Sequence, residues 1–161
     1  MLEKLKNHFR KFKPRQFVVF TVLSLIITDL LNGYYLTLYW AKKDYGSILM
    51  RESMRRGGMQ ASDFNSATLN EMHAFMDNLF HFFLFIILAN NLFFYFFYLR
   101  KRQWAQGFVV FYAFTAALFS LSLLFDNAGM GAGWFFYNLA TIPYYLYIYL
   151  GVKTLKNETT L

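Results

Sequence analysis

The sequence has no cysteine, only two prolines and only three histidines among its 161 residues. Without cysteine there are no disulfides, no thiolate metal sites and no thiol redox chemistry. That excludes the disulfide-forming membrane enzymes, which are four-helix proteins of this size. Three histidines are too few for a di-iron membrane oxygenase. Neither a His-Glu-x-x-His metalloprotease motif nor a Gly-x-Ser-x-Gly nucleophile elbow is present. No basic stripe carries interleaved aromatics, so nucleic acid is not a partner. Internal repeats and low-complexity tails are absent as well.

What the chain does have is apolar surface. Hydrophobic residues make up 57% and aromatics 22%, with 21 phenylalanines. A water-soluble domain rarely needs so much. The net charge of +7 sits in short clusters between apolar runs, the pattern of a membrane protein. The runs predict four spans at about 17–40, 72–99, 105–125 and 134–150, each near the ~20 residues a bilayer requires. Backbone groups in lipid must be satisfied internally, so the spans are helices. The run that starts at Phe17 continues to Trp40. It is longer than a secretory signal core and reads as a retained span.

Lysine and arginine set the expected orientation. With the N-terminus inside, eleven basic residues are cytoplasmic and five, Lys42, Lys43, Arg51, Arg55 and Arg56, are outside. This predicts cytoplasmic termini in a bacterial-type inner membrane. Trp40, Trp104 and Trp134 fall at predicted span ends, as an interfacial aromatic belt requires. Short connections at 100–104 and 126–133 force antiparallel neighbours. The expected fold is therefore all-α, a single domain forming an up-down four-helix membrane bundle. The one long loop, 41–67, contains a short amphipathic segment, Ser47–Arg56, which Gly57 and Gly58 can stop. Thr68 and Glu71 have capping-box spacing before the second span.

Ionisable side chains inside a span are expensive and ask for a reason. In the second span Asn70, His73, Asp77, His81 and Asn91 fall within a stripe of about 80° at helical period. His73, Asp77 and His81 are successive i, i+4 neighbours, a candidate metal-ligand set or proton relay. Asp29 and Asn32 lie one turn apart on the first span, and Ser122 and Asp126 end the third. Asn138 and Thr141 share a face of the fourth. Asp29, Asn32, Asp126 and Asn138 are the candidate ion or proton pathway. For Asn32, Asn138, Thr141 and Ser122 the plainer reading is interhelical hydrogen bonding.

Apart from Met1, the methionines are Met50, Met54, Met59, Met72, Met76 and Met130, all on the expected outer side. Thioether with imidazole suits Cu(I), so copper or zinc is the cofactor this set would take. The competing role is flexible filler under a surface helix. His73 and His81 share one helix and cannot clasp a haem between them within a monomer. The lipoprotein signal peptidases also have four spans and two aspartates. Their flanking asparagine and glycine motifs are missing here, leaving Asp29 with Asp77 or Asp126 a formal analogue only.

The expected function is binding or conduction of a cation, a proton or a transition metal, through an outer-facing polar cavity. One alternative is a membrane subunit or homo-oligomer whose stripe only fixes packing. Another is a lipid-handling enzyme of the outer leaflet, for which Asp77 beside His81 offers a carboxylate–imidazole dyad.

Overall fold

A computed structural model describes residues 7–9, 11, 13–125 and 131–159. Among these residues the chain is helical, with no strand. Helix α1 spans Pro14–Lys43, α2 Tyr45–Arg56, α3 Ser66–Leu99, α4 Gln103–Phe125 and α5 Ala132–Thr159. A 3-10 turn, Ala61–Asp63, precedes α3. Helices α1, α3 and α4 are long and apolar enough to cross a bilayer. Helix α5 contains the fourth predicted span but is less apolar, because Asn138, Pro143 and five tyrosines interrupt it. Among the described residues, three helices rather than four therefore meet both criteria by length and composition.

Local chemistry explains most boundaries. The amphipathic segment begins two residues earlier than predicted, at Tyr45, directly after Asp44. Asp44 has left-handed backbone at φ 51°, so one residue makes the corner between α1 and α2. Aspartate is one of the few non-glycine residues that tolerate this region. At the far end Gly58, with φ 70°, lets Met59 N–H reach the Met54 carbonyl and Gly58 N–H reach that of Arg55. These are the two bonds of a Schellman stop. Helix α3 starts at Ser66, six residues before the predicted Met72. The Asn65 side chain accepts the Thr68 N–H at 2.8 Å and so caps it. Its other end is a Schellman stop built on Lys101, with φ 55°. Lys101 N–H bonds to the Tyr98 carbonyl and Arg102 N–H to that of Phe97.

The chain divides into two compact units, one made of Met1–Thr28 with Asn90–Leu161, the other of Asp29–Ala89. In the first, Phe97 meets Trp104 with centroids 5.0 Å apart and Phe94 stacks on Phe108 at 3.7 Å, so the end of α3 runs antiparallel to α4. Helices α4 and α5 pack closely. Ala105, Val109, Ala113 and Ala117 recur every fourth residue along α4 and are buried. Small residues at that period let helix backbones approach. Tyr145, Ile148 and Val152 of α5 complete this core with Phe9, Phe17 and Leu25. Thr141 donates to Ser120 at 3.0 Å across the α4–α5 contact.

The second unit holds the α1–α2 corner and α3 as far as Ala89. Met50 and Met54 are buried there, which is a packing role. Large apolar side chains remain exposed on the long helices, among them Leu30, Tyr34, Phe82, Phe83, Phe85 and Ile87. A surface so apolar calls for a non-aqueous neighbour.

Candidate functional site

Within the second unit, one turn of α3 closes on the α1–α2 corner. The indole of Trp40, in the last turn of α1, donates its N–H to Asp77 Oδ1 at 2.7 Å. Its ring lies flat on Phe80, with centroids 4.1 Å apart and planes 12° from parallel. Tyr45, the first residue of α2, packs against the same indole, and its hydroxyl lies 3.3 Å from that of Tyr39. The other Asp77 oxygen stands 3.2 Å from His73 Nδ1. On the opposite edge of that imidazole, Nε2 is 3.1 Å from Asp44 Oδ1. His73 therefore lies between two carboxylates, one from its own helix and one from the corner.

Gly46 makes the approach possible. A Cβ there would stand 2.7 Å from Asp77 Oδ1 and 3.1 Å from His73 Nε2. The buried glycine is a gap into which the pair fits. His81, one turn further on, donates from Nδ1 to the Asp77 carbonyl at 2.7 Å and meets Phe80 edge-on. Because a carbonyl can only accept, that proton sits on Nδ1.

The electrostatics follow from the partners. Asp44 is held below the usual carboxylate range, chiefly by its hydrogen bond from His73, with Ser47 acting the same way. The side chains of His73, Asp77 and Asp44 are 36%, 37% and 61% exposed, so the group communicates with solvent. A neutral imidazole has one N–H and can donate to only one of its two carboxylates. The other nitrogen then faces an oxygen lone pair to lone pair. One further proton, on the ring or on a carboxylate, satisfies both contacts.

The candidate residues from the sequence divide accordingly. His73 and Asp77 meet through side chains, while His81 engages only the Asp77 main chain. Asp29 is buried on α1 at 8% exposure, and Asn32 is half-buried one turn on. Asn138 belongs to the first unit, buried and donating to the Trp134 carbonyl at 3.0 Å. Asp126 and Met130 lie outside the described residues. Trp40, Asp44 and Gly46 were not singled out by spacing on α3, because they belong to other elements. Among the described residues, no three His, Asp or Glu side chains form a group able to hold a metal ion. The two nitrogens of His73 point to opposite sides, so Asp44 and Asp77 cannot share one ion with that ring.

No protein-family model, curated protein or solved structure matches the chain.

Proposed function

We propose that this is a multi-pass membrane protein that takes up a proton at Asp44, His73 and Asp77 and passes it along α1 toward Asp29. The observation that carries the reading is the imidazole of His73 between two carboxylates, at 3.1 and 3.2 Å. A proton is favoured over a transition metal because both ring nitrogens already face carboxylates on opposite sides.

Helix length supports an interfacial position. At a rise of 1.5 Å per residue, the stretch of α3 from His73 to its end corresponds to about 39 Å of helix, that from Asp77 to about 33 Å and that from His81 to about 27 Å. Against a hydrocarbon core of about 30 Å, His73 stands in the headgroup zone and His81 just inside the core. On α1, the stretch from Phe17 to Asp29 corresponds to about 18 Å of helix, a mid-core depth, and that from Phe17 to Trp40 to about 35 Å, the interface where indoles concentrate. A buried carboxylate within a span is a functional-site candidate by default, and proton relays are one use of such groups; Asn32 lies one turn away on the same helix. In this reading α5 supplies the fourth span, the termini are cytoplasmic, and the basic residues at 100–102 flank the inner face.

The test is proton flux into vesicles holding a pH-sensitive dye, under an imposed potential. Wild type is expected to carry flux. Asp77→Asn and His73→Gln should fall to the level of empty vesicles while keeping their helix content. Equal flux in all three proteins, or none in wild type, sinks the proposal.

A second reading, a membrane subunit, draws on the exposed aromatics Phe82, Phe83, Phe85, Phe93 and Phe96 of α3. It expects these variants to change assembly or stability, with no flux in any form.

A further inference from the structure

Helix α2 has its apolar inner face already covered. Gly46, Met50 and Met54 are buried. Yet Ile48 and Leu49 remain 50% and 43% exposed on its outer side. Around them stand Arg51, Arg55 and Arg56, all exposed. Arg55 and Arg56 share the single carboxylate of Glu52, at 2.8 and 2.9 Å. Arg51 makes no side-chain hydrogen bond or ion pair among the described residues. Three arginines against one glutamate leave the helix net positive.

Only Asp44 separates α2 from α1, a helix apolar enough to span a bilayer. The helix is therefore tethered at the end of a span. Its outer side combines what the headgroup layer offers separately: aliphatic side chains for the acyl boundary and guanidinium groups for phosphate. A purely apolar partner would leave the arginines buried and unpaired, and bulk water gives no use for Ile48 and Leu49. Charge complementarity selects the anionic component of the membrane.

We infer that α2 is an interfacial helix that seats Ile48 and Leu49 at the acyl boundary and binds anionic phospholipid headgroups through Arg51 and the Arg55–Arg56 pair. Its position does not depend on which side of the membrane it faces, nor on proton uptake at His73.

The absence of cysteine makes a clean test possible. The full chain carrying Leu49→Cys is labelled with an environment-sensitive fluorophore and reconstituted into vesicles. One set is phosphatidylcholine alone, the other phosphatidylcholine mixed with phosphatidylglycerol. Insertion of the spans is checked by resistance to alkaline extraction, and folding by circular dichroism. The expected result is blue-shifted emission, quenched by lipids spin-labelled near the headgroup, with about twofold more quenching when phosphatidylglycerol is present. Arg51→Gln with Arg55→Gln should abolish that gain. Immersion indifferent to phosphatidylglycerol and to the arginines overturns headgroup recognition. A label as wet as free dye in inserted protein overturns the whole inference. Proton flux on the same vesicles reads the His73 proposal separately.

Discussion

Trp40 and Asp77 are joined by a 2.7 Å hydrogen bond across 37 residues of sequence. The indole does two things at once, donating to the carboxylate and stacking on Phe80 one turn away. Trp40→Phe separates them, since phenylalanine keeps a stackable ring and loses the donor. Losing a hydrogen bond to a charged acceptor costs about 1.5–3 kcal/mol. Thermal melting in detergent, followed by circular dichroism, should show that loss. Asp77→Asn retains an acceptor for the indole and should melt closer to wild type.

Two glycines of the second unit should respond in opposite senses to alanine. At Gly46 a methyl group would collide with Asp77 and His73. Overpacking of this kind costs about 1–3 kcal/mol. At Gly33, inside α1, nothing lies within 4 Å of the added carbon. There alanine should stabilise the helix by about 0.5–1 kcal/mol. Paired melts of Gly46→Ala and Gly33→Ala check the contrast, and equal effects would remove the argument that Gly46 is a fitted gap.

Lys101 stops α3 in a conformation that normally belongs to glycine. The left-handed region costs an L-residue about 1–2 kcal/mol, and glycine returns part of that as lost chain entropy. Lys101→Gly should therefore raise stability by up to about 1 kcal/mol, read as a higher melting temperature. A lower one would mean that the lysine side chain itself holds the 100–102 turn.

The pH dependence of Asp44 has a fixed sign. His73 lowers its carboxyl below the ordinary value of 3.8. Such a group adds stability above its unfolded value and loses it as pH falls through the folded one. Asp44→Asn removes the charge and still tolerates left-handed backbone. Wild type should melt above this variant near neutral pH, by a small margin because Asp44 is open to water. The margin should shrink as pH falls below 3.8 and vanish once the folded carboxyl is itself protonated. A gap that instead persists in acid assigns the effect to backbone geometry rather than charge.

Between α4 and α5, Thr141 reaches Ser120 at 3.0 Å. Ser120→Ala leaves Thr141 the Asn138 carbonyl, also at 3.0 Å, as acceptor. The cost should be about 0.6 kcal/mol, the average for such contacts in membrane helices. A loss several times larger in a detergent unfolding titration would mean that the pair supports more than its own bond.

Much of this protein is legible residue by residue. The apolar runs give α1, α3 and α4, because a helix able to span a bilayer is a property of local composition. Gly57 and Gly58 mark the end of α2, because a left-handed stop is a local need met by glycine. The i, i+4 pairing of His73 with Asp77 follows from helical period alone. The capping box at Thr68 and Glu71 does not describe the start of α3. Asn65, three residues earlier, already caps it, and a helix begins at the first cap that works.

The sequence could not place Asp44 against His73 or Trp40 against Asp77, which lie 29 and 37 residues apart. Those contacts depend on where the chain turns after α1 and on the rotation of α3 about its own axis. Periodicity gives a stripe on a helix but not the direction it faces. One left-handed aspartate and one glycine without a side chain settle that here, because they bring the corner close enough to present a second carboxylate to the far edge of the imidazole.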